Sequence, residues 1–275
     1  MKLFLCRMGR YLMVLPLFLL SYFGSPAGRP PVPGPVSTGL VANAAMAAGP
    51  SIFASPLLSA SPSMAAGPSS GEVFSLADSA RFIPLYDSLR LDSLQLSRDA
   101  YNKAVRGFLA LVAGGEVANT EVLSIIDFTL PSNKKRLFIL DMHTNKLLFN
   151  TLVAHGRNSG GLMATRFSNR RNSYMSSLGF YVTGEPFIGQ HGYSLRLEGK
   201  EKGFNDHVLN RSIIIHPADY VSDEFIQQWG FLGRSEGCPA IPREWDEAII
   251  DKIRGGSCLF LYGADKRYLK KSVIG

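Results

Sequence analysis

EVLSIIDFTLPSNKKRLFILDMHTNKLLFNTLVA, residues 121–154, is the stretch that decides the fold. It holds three apolar and β-branched runs, Glu121 to Leu130, Lys135 to Met142 and Lys146 to Ala154. Pro131-Ser132-Asn133 and His143-Thr144-Asn145 part them, turn chemistries at hairpin spacing. Working outward, further short strands are expected at Gly179 to Thr183, Tyr193 to Leu197, Ser212 to His216 and Cys258 to Tyr262. Helical spacing is confined to the flanks. Ser97 caps a helix carrying Ala100, Ala104, Phe108 and Leu111 on one face until Gly114-Gly115, with a weaker helical stretch around Leu85 to Leu91. Later helices should begin at Ser222-Asp223-Glu224 and near Pro242, the second carrying Trp245, Ile249 and Ile253 and stopping at Gly255-Gly256. This is no βαβ alternation. It predicts a mainly β (α+β) domain, an antiparallel β-sandwich or barrel with N-terminal and peripheral helices.

The chain has three parts. Over residues 1–27, Lys2, Arg7 and Arg10 precede the apolar run Tyr11 to Phe23, and Ser25-Pro26-Ala27 offers small residues for cleavage, the pattern of an export signal. Residues 28–71 are rich in Pro, Ala, Gly and Ser with one charge, Arg29, and should form a disordered tether. Residues 72–275 are globular in composition and long enough for one substantial core. Losing the signal would lower the formal charge of +7 to about +4, enough for an anionic envelope polymer but without the dense basic stripe of nucleic-acid binders. The expected setting is therefore the periplasm or cell envelope, with no nucleic-acid partner and no stable membrane span after cleavage.

Chemistry gathers late in the chain. His216 closes an apolar run, eighteen residues follow, and then comes Ser235-Glu236-Gly237-Cys238. A cysteine nucleophile needs a base that can take its proton, and a glycine beside it lets a substrate carbonyl approach closely. On this reading Cys238 and His216 are catalytic. The amides of Gly237 and Cys238 could face an oxyanion. His155 and Gly156, closing another strand, could line the same cleft. Three readings compete. Gly233-Arg234-Ser235-Glu236-Gly237 fits a serine nucleophile elbow, but no histidine follows Ser235 as that triad order requires. The five histidines are scattered with no paired metal spacing; His191, Asp206 and His207 are the least implausible trio, and neither metal nor cofactor is expected. Cys238 and Cys258 could instead form a disulfide in a non-catalytic wall-binding module.

These residues resemble the YkuD-like L,D-transpeptidases, whose signature is a His, a spacer of comparable length, then Ser/Thr-x-Gly-Cys. The likeness is closest to the murein L,D-transpeptidase catalytic domain branch and extends through Ile125-Ile126-Asp127-Phe128, Leu152 to Gly156, Gly192 to Gly199 and Gly233-Arg234-Ser235. The resemblance implies that Cys238 attacks a peptidoglycan stem tetrapeptide, that His216 serves as base and then acid, and that the thioester passes to a neighbouring amine as a 3–3 cross-link. It also implies that Ser235 and Gly237 shape the anion-binding turn and that carbapenems could acylate the thiol. Arg196 and Arg234 are candidates for gripping the stem carboxylates. Two departures from the common pattern stand out: Glu236 replaces a His before Gly-Cys, and Pro239-Ala240 follows where an Arg is usual. Hydrolysis of the same thioester, as an L,D-carboxypeptidase or endopeptidase, is the alternative outcome.

Overall fold

The structure, a computed structural model, describes residues 76–272 and Ile274. The expected signal over 1–27 and tether over 28–71 lie outside the described residues. Two short helices, α1 (Ser79–Phe82) and α2 (Leu85–Ser88), lead into α3 (Arg98–Ala113). Ser97 Oγ accepts the Ala100 N–H at 3.3 Å, the capping expected of it. The Ser97 N–H in turn donates to Asp127 Oδ2 at 2.9 Å, tying the start of α3 to the end of β1 (Asn119–Asp127). The other Asp127 oxygen accepts from the Thr129 amide and hydroxyl. Asp127 thus holds a helix against a strand.

The chain continues through β2 (Leu137–Asp141), β3 (Lys146–Thr151), β4 (Gly179–Gly189), β5 (Gly192–Gly199) and β6 (Ile214–Pro217). Then come α4 (Asp223–Trp229), β7 (Ala240–Ile241), α5 (Asp246–Ile253), β8 (Ser257–Tyr262) and α6 (Lys266–Lys271). The strands form one eight-stranded sheet ordered β3-β2-β1-β8-β4-β5-β6-β7. Its two ends meet: the Ala154 N–H donates to the Ala240 carbonyl at 2.8 Å, and the sheet curls into a nearly closed barrel. Phe108 of α3 and Phe138, Phe180 and Phe260 of the sheet are fully buried in its core.

Most neighbours run antiparallel, but β1–β8 and β6–β7 are parallel. A parallel pair needs a long crossover, and α4 with its flanking loops supplies the one between β6 and β7. That crossover makes the site, because it returns Cys238 beside the strand that carries His216. The strand expected at Gly179 to Thr183 instead runs on to Gly189, past Pro186. Beyond Val182 β4 pairs only with β5, and its register shifts between Thr183 and Pro186, so the missing proline N–H costs no ladder bond to β8. Helix α6 carried no expectation; Asp265 caps it by accepting the Tyr268 N–H at 2.8 Å.

Candidate active site

The turn Ser235–Cys238 is held by its own side chain. Ser235 Oγ donates to the Cys238 carbonyl at 2.6 Å and accepts the Gly237 N–H at 3.1 Å. The Gly237 amide is therefore already engaged, which corrects the expectation that it faces an oxyanion; the Cys238 amide helps hold its own thiol down. Ser235 is committed to the turn and cannot act as a nucleophile. Gly237 sits at φ +126°, where a side chain would be strained and would press on the Met175 carbonyl at 2.8 Å.

Below the turn lies the strand end His155-Gly156. Gly156 bridges to Ser235, with the Ser235 N–H donating to the His155 carbonyl at 3.0 Å and the Arg157 N–H to the Ser235 carbonyl at 2.8 Å. A Cβ on Gly156 would sit 2.6 Å from the Tyr174 carbonyl oxygen and 2.9 Å from Gly237 Cα, so only glycine lets these backbones meet. His155 does not line the cleft: it is fully buried, against the expectation of a substrate contact. Its Nδ1 accepts from Arg136 Nη2 at 2.8 Å, which leaves Nε2–H to donate to the Gly160 carbonyl at 3.3 Å. Burial first, and the Arg136 guanidinium second, push this imidazole down to about 4. Arg136 is itself fully buried, donating to the Val153 and Leu130 carbonyls, and its ionisation falls to about 9 through desolvation.

His216 faces Ala240 in the β6–β7 register, two residues past Cys238. Its Nδ1 lies 3.0 Å from the Pro217 carbonyl, which can only accept, so the proton sits on Nδ1 and Nε2 keeps its lone pair. Burial holds His216 below the ordinary histidine value, opposed by the Pro217 carbonyl and reinforced by His191 and Arg243. Cys238 is partly exposed, and its Sγ–H is 3.8 Å from the Ser212 carbonyl. Desolvation pushes the thiol up, while the Ile214 N–H and the Arg211 guanidinium pull it down. Ile214 and His216 are two apart on β6, so their side chains project from the same face. Both shifts favour the uncharged forms.

Two groups at the site escaped the sequence reading. The His191 ring stacks on His216 with centroids 4.4 Å apart and planes 27° from parallel. It reaches there from the two-residue loop between the paired Gly189 and Gly192, a hairpin lost when the expected strand stopped at Thr183. Arg211 lies beside the turn, its Nη2 3.1 Å from where a Cβ on Gly237 would be. Nothing in its immediate sequence marks it.

Two clefts share Ser212, whose carbonyl accepts from the Cys238 thiol. One, of about 400 Å³, is lined by His191, Arg196, Phe187 and Leu209; Arg196 lies over the Phe187 ring at 4.5 Å. The other, of about 200 Å³, contains Arg171, Arg211 and Glu236. Arg234 is exposed and lines neither, donating to the Gly160 carbonyl at 3.3 Å. Glu236 pairs with Arg157 at 3.5 Å, not with Arg234, and its charge still raises the thiol slightly. Cys238 and Cys258 are both free, which removes the proposed bridge; Cys258 is buried within β8. Among the described residues no three His, Cys, Asp or Glu side chains gather to hold a metal ion. His207 lies by Asp206 and Asn169, whereas His191 stacks on His216.

Residues 92–262, well over half the chain, match the family model described as L,D-transpeptidase catalytic domain. No curated protein sequence matches. Among solved structures, an L,D-transpeptidase from Mycobacterium smegmatis is similar at 11% identity and TM-score 0.32, over 52% of this chain and 59% of that one. The helical cell shape determining protein from Campylobacter jejuni is similar at 15% identity and TM-score 0.35, over 60% and 57%. An L,D-transpeptidase from Stackebrandtia nassauensis is similar at 11% identity and TM-score 0.33, over 69% and 79%. The chain thus spans under two thirds of the first two of these proteins.

Proposed function

The chain belongs to the L,D-transpeptidase catalytic domain family, and from that premise we propose that it is an exported, cysteine-dependent acyltransferase acting on peptidoglycan stem peptides. The observation that carries this reading is the parallel β6–β7 register, which brings the Cys238 turn beside the strand bearing His216 with its Nε2 lone pair free. Cys238 Sγ attacks the carbonyl of the third residue of a stem tetrapeptide while its proton passes to His216 Nε2. The tetrahedral intermediate expels the terminal D-alanine, which takes that proton on its amine. An amine of a neighbouring stem then attacks the thioester, giving His216 a proton that returns to sulfur, and a 3–3 cross-link results. Because both shifts favour the uncharged forms, proton transfer accompanies attack. The export pattern over residues 1–27 supports an envelope setting, where this substrate is found.

Incubation with a disaccharide-tetrapeptide, followed by mass analysis of the products, tests the proposal. Cross-linked dimer is the expected product. Tripeptide alone would assign the L,D-carboxypeptidase or endopeptidase alternative, with water resolving the thioester. Cys238→Ala should abolish turnover while keeping the unfolding midpoint, and a carbapenem should add its mass to the wild-type protein but not to this variant. Turnover persisting in Cys238→Ala would overturn the mechanism.

A further inference from the structure

Strand β3 is an end strand of the sheet, and a cleft of about 300 Å³ runs along its outer edge. It is bounded by residues 148–152, by the start of α4 and by Trp245. A second cavity, of about 440 Å³, adjoins it, sharing Val221, Ser222, Pro242 and Glu244 and continuing to Ala218. Neither Cys238 nor His216 lines this groove. Helical spacing aligns Trp245 with Ile249 and Ile253, which are fully buried, yet the indole is 45% exposed. It meets Phe149 in a T-shaped contact, centroids 6.2 Å apart and planes at 69°, which steadies the ring and leaves much of it open to the cleft. Phe149 and Thr151 are two apart on β3 and project to the same side. Thr151 also lines the cleft; it is only 8% exposed, and its hydroxyl makes no hydrogen bond among the described residues. A buried hydroxyl left unpaired is costly, so solvent or a polar ligand must satisfy it.

Charge narrows the class of ligand. Lys135 and Glu244, one of each sign, are exposed and make no ion pair among the described residues. Asp223 and Glu224 lie in the first turn of α4, whose unpaired amides offset them. The carboxylates repel an anion, while the near balance gives no strong pull on a cation. An open indole ringed by carboxylates and hydroxyls suits a neutral ring with an apolar C–H face and many O–H groups. We propose that this groove binds the pyranose rings of a neutral glycan, one ring stacking on Trp245 while its hydroxyls bond to Glu244, Thr151 and Ser222. The inference rests on the peptidoglycan reading of Cys238 and adds a second point of recognition, the sugar strand that carries the stems. Ala218, at one end of the groove, is two residues and so at most about 7 Å from His216 along the chain. A three-residue stem spans about 10 Å, so a sugar held there can keep its third residue near His216.

The chain has two tryptophans, so in a Trp229→Phe background the fluorescence reports Trp245 alone. Titrating this full-length protein with chitotetraose, a neutral glycan without peptide, should give a saturable change in emission. In calorimetry, Trp245→Ala should weaken binding about tenfold through loss of the stacked ring, and Thr151→Val about threefold through loss of one hydrogen bond. Melting temperatures check that both variants keep the fold. Should alanine unfold the domain, Trp245→Leu fills the space without an aromatic face and must show the same loss. Absence of a saturable signal would overturn the proposal, as would wild-type affinity in the Trp245 variants. Tighter binding of tetralysine than of the sugar would also overturn it, giving the edge of β3 to a basic peptide instead. A second arm takes the ratio of kcat/KM for a disaccharide-tetrapeptide donor to that for the bare tetrapeptide. That ratio should fall about tenfold in Trp245→Ala, and an unchanged ratio counts against the groove. If neither donor reacts, the transpeptidase reading fails, while the sugar titration still decides the groove.

Discussion

Acid should weaken this fold in part through one fully buried imidazole, that of His155. The unfolded chain protonates this residue near 6.5, whereas burial and Arg136 depress it to about 4 in the folded protein. Because the folded state binds the proton less readily, the contribution is fully present above pH 6.5 and is lost as pH falls towards 4. A depression of that size, at about 1.4 kcal/mol per pKa unit, is worth about 3 kcal/mol. His155→Gln keeps an oxygen to accept from Arg136 Nη2 but cannot titrate. Urea unfolding of both proteins from pH 7.5 to 4 isolates the effect, since carboxylates titrate alike in each. The stability of wild type minus variant should decline by about 3 kcal/mol between pH 6.5 and 4. A difference that stays flat over that window would show that His155 is solvated or already charged, and the argument from its burial would fail.

Gly156→Ala should destabilise the domain by about 1–3 kcal/mol through overpacking against backbone, and should slow thiol alkylation because one of the colliding atoms, Gly237 Cα, belongs to the Cys238 turn; an unchanged melting temperature would refute the close approach. His191→Phe keeps a ring against His216 but removes a charge that depresses it, so the acidic limb of kcat/KM should move to higher pH. Arg243, paired with Asp219, remains as the other cation lowering His216, and a limb that does not move would assign His191 a packing role alone. The rate of Cys238 alkylation by iodoacetamide should still be rising at pH 9, because burial raises the thiol above its ordinary value; a plateau near neutrality would instead reveal a resting ion pair.

Much of this architecture was legible because it is carried by local chemistry. Ser97 marked the start of α3 and Ser222 that of α4, each accepting the N–H expected of a cap. The β1–β2–β3 meander followed from two turns parting three apolar and β-branched runs. What stayed hidden depends on contacts distant in sequence. β7 has only two residues and exists because Ala154 and His216 flank it. His155 and Gly156 were recognised as belonging with the cysteine turn, but whether they face solvent or lie beneath it depends on Arg136, a charged residue whose full burial runs against its type. His191 was visible as a residue and invisible as a neighbour, since the hairpin presenting it passes through a proline. Arg211 stands just before the expected strand Ser212 to His216, with no spacing rule to single it out.

The two-residue β6–β7 pairing has an implication for inheritance and engineering alike. Nucleophile and base arrive from opposite banks of a join only two residues wide, so slipping either bank by one position would turn an inward side chain outward and uncouple the chemistry with little change in overall shape. Catalytic rate would then report strand alignment more sensitively than any spectroscopic measure of folding, and insertions in the 218–239 crossover should be tolerated only where they leave that alignment untouched.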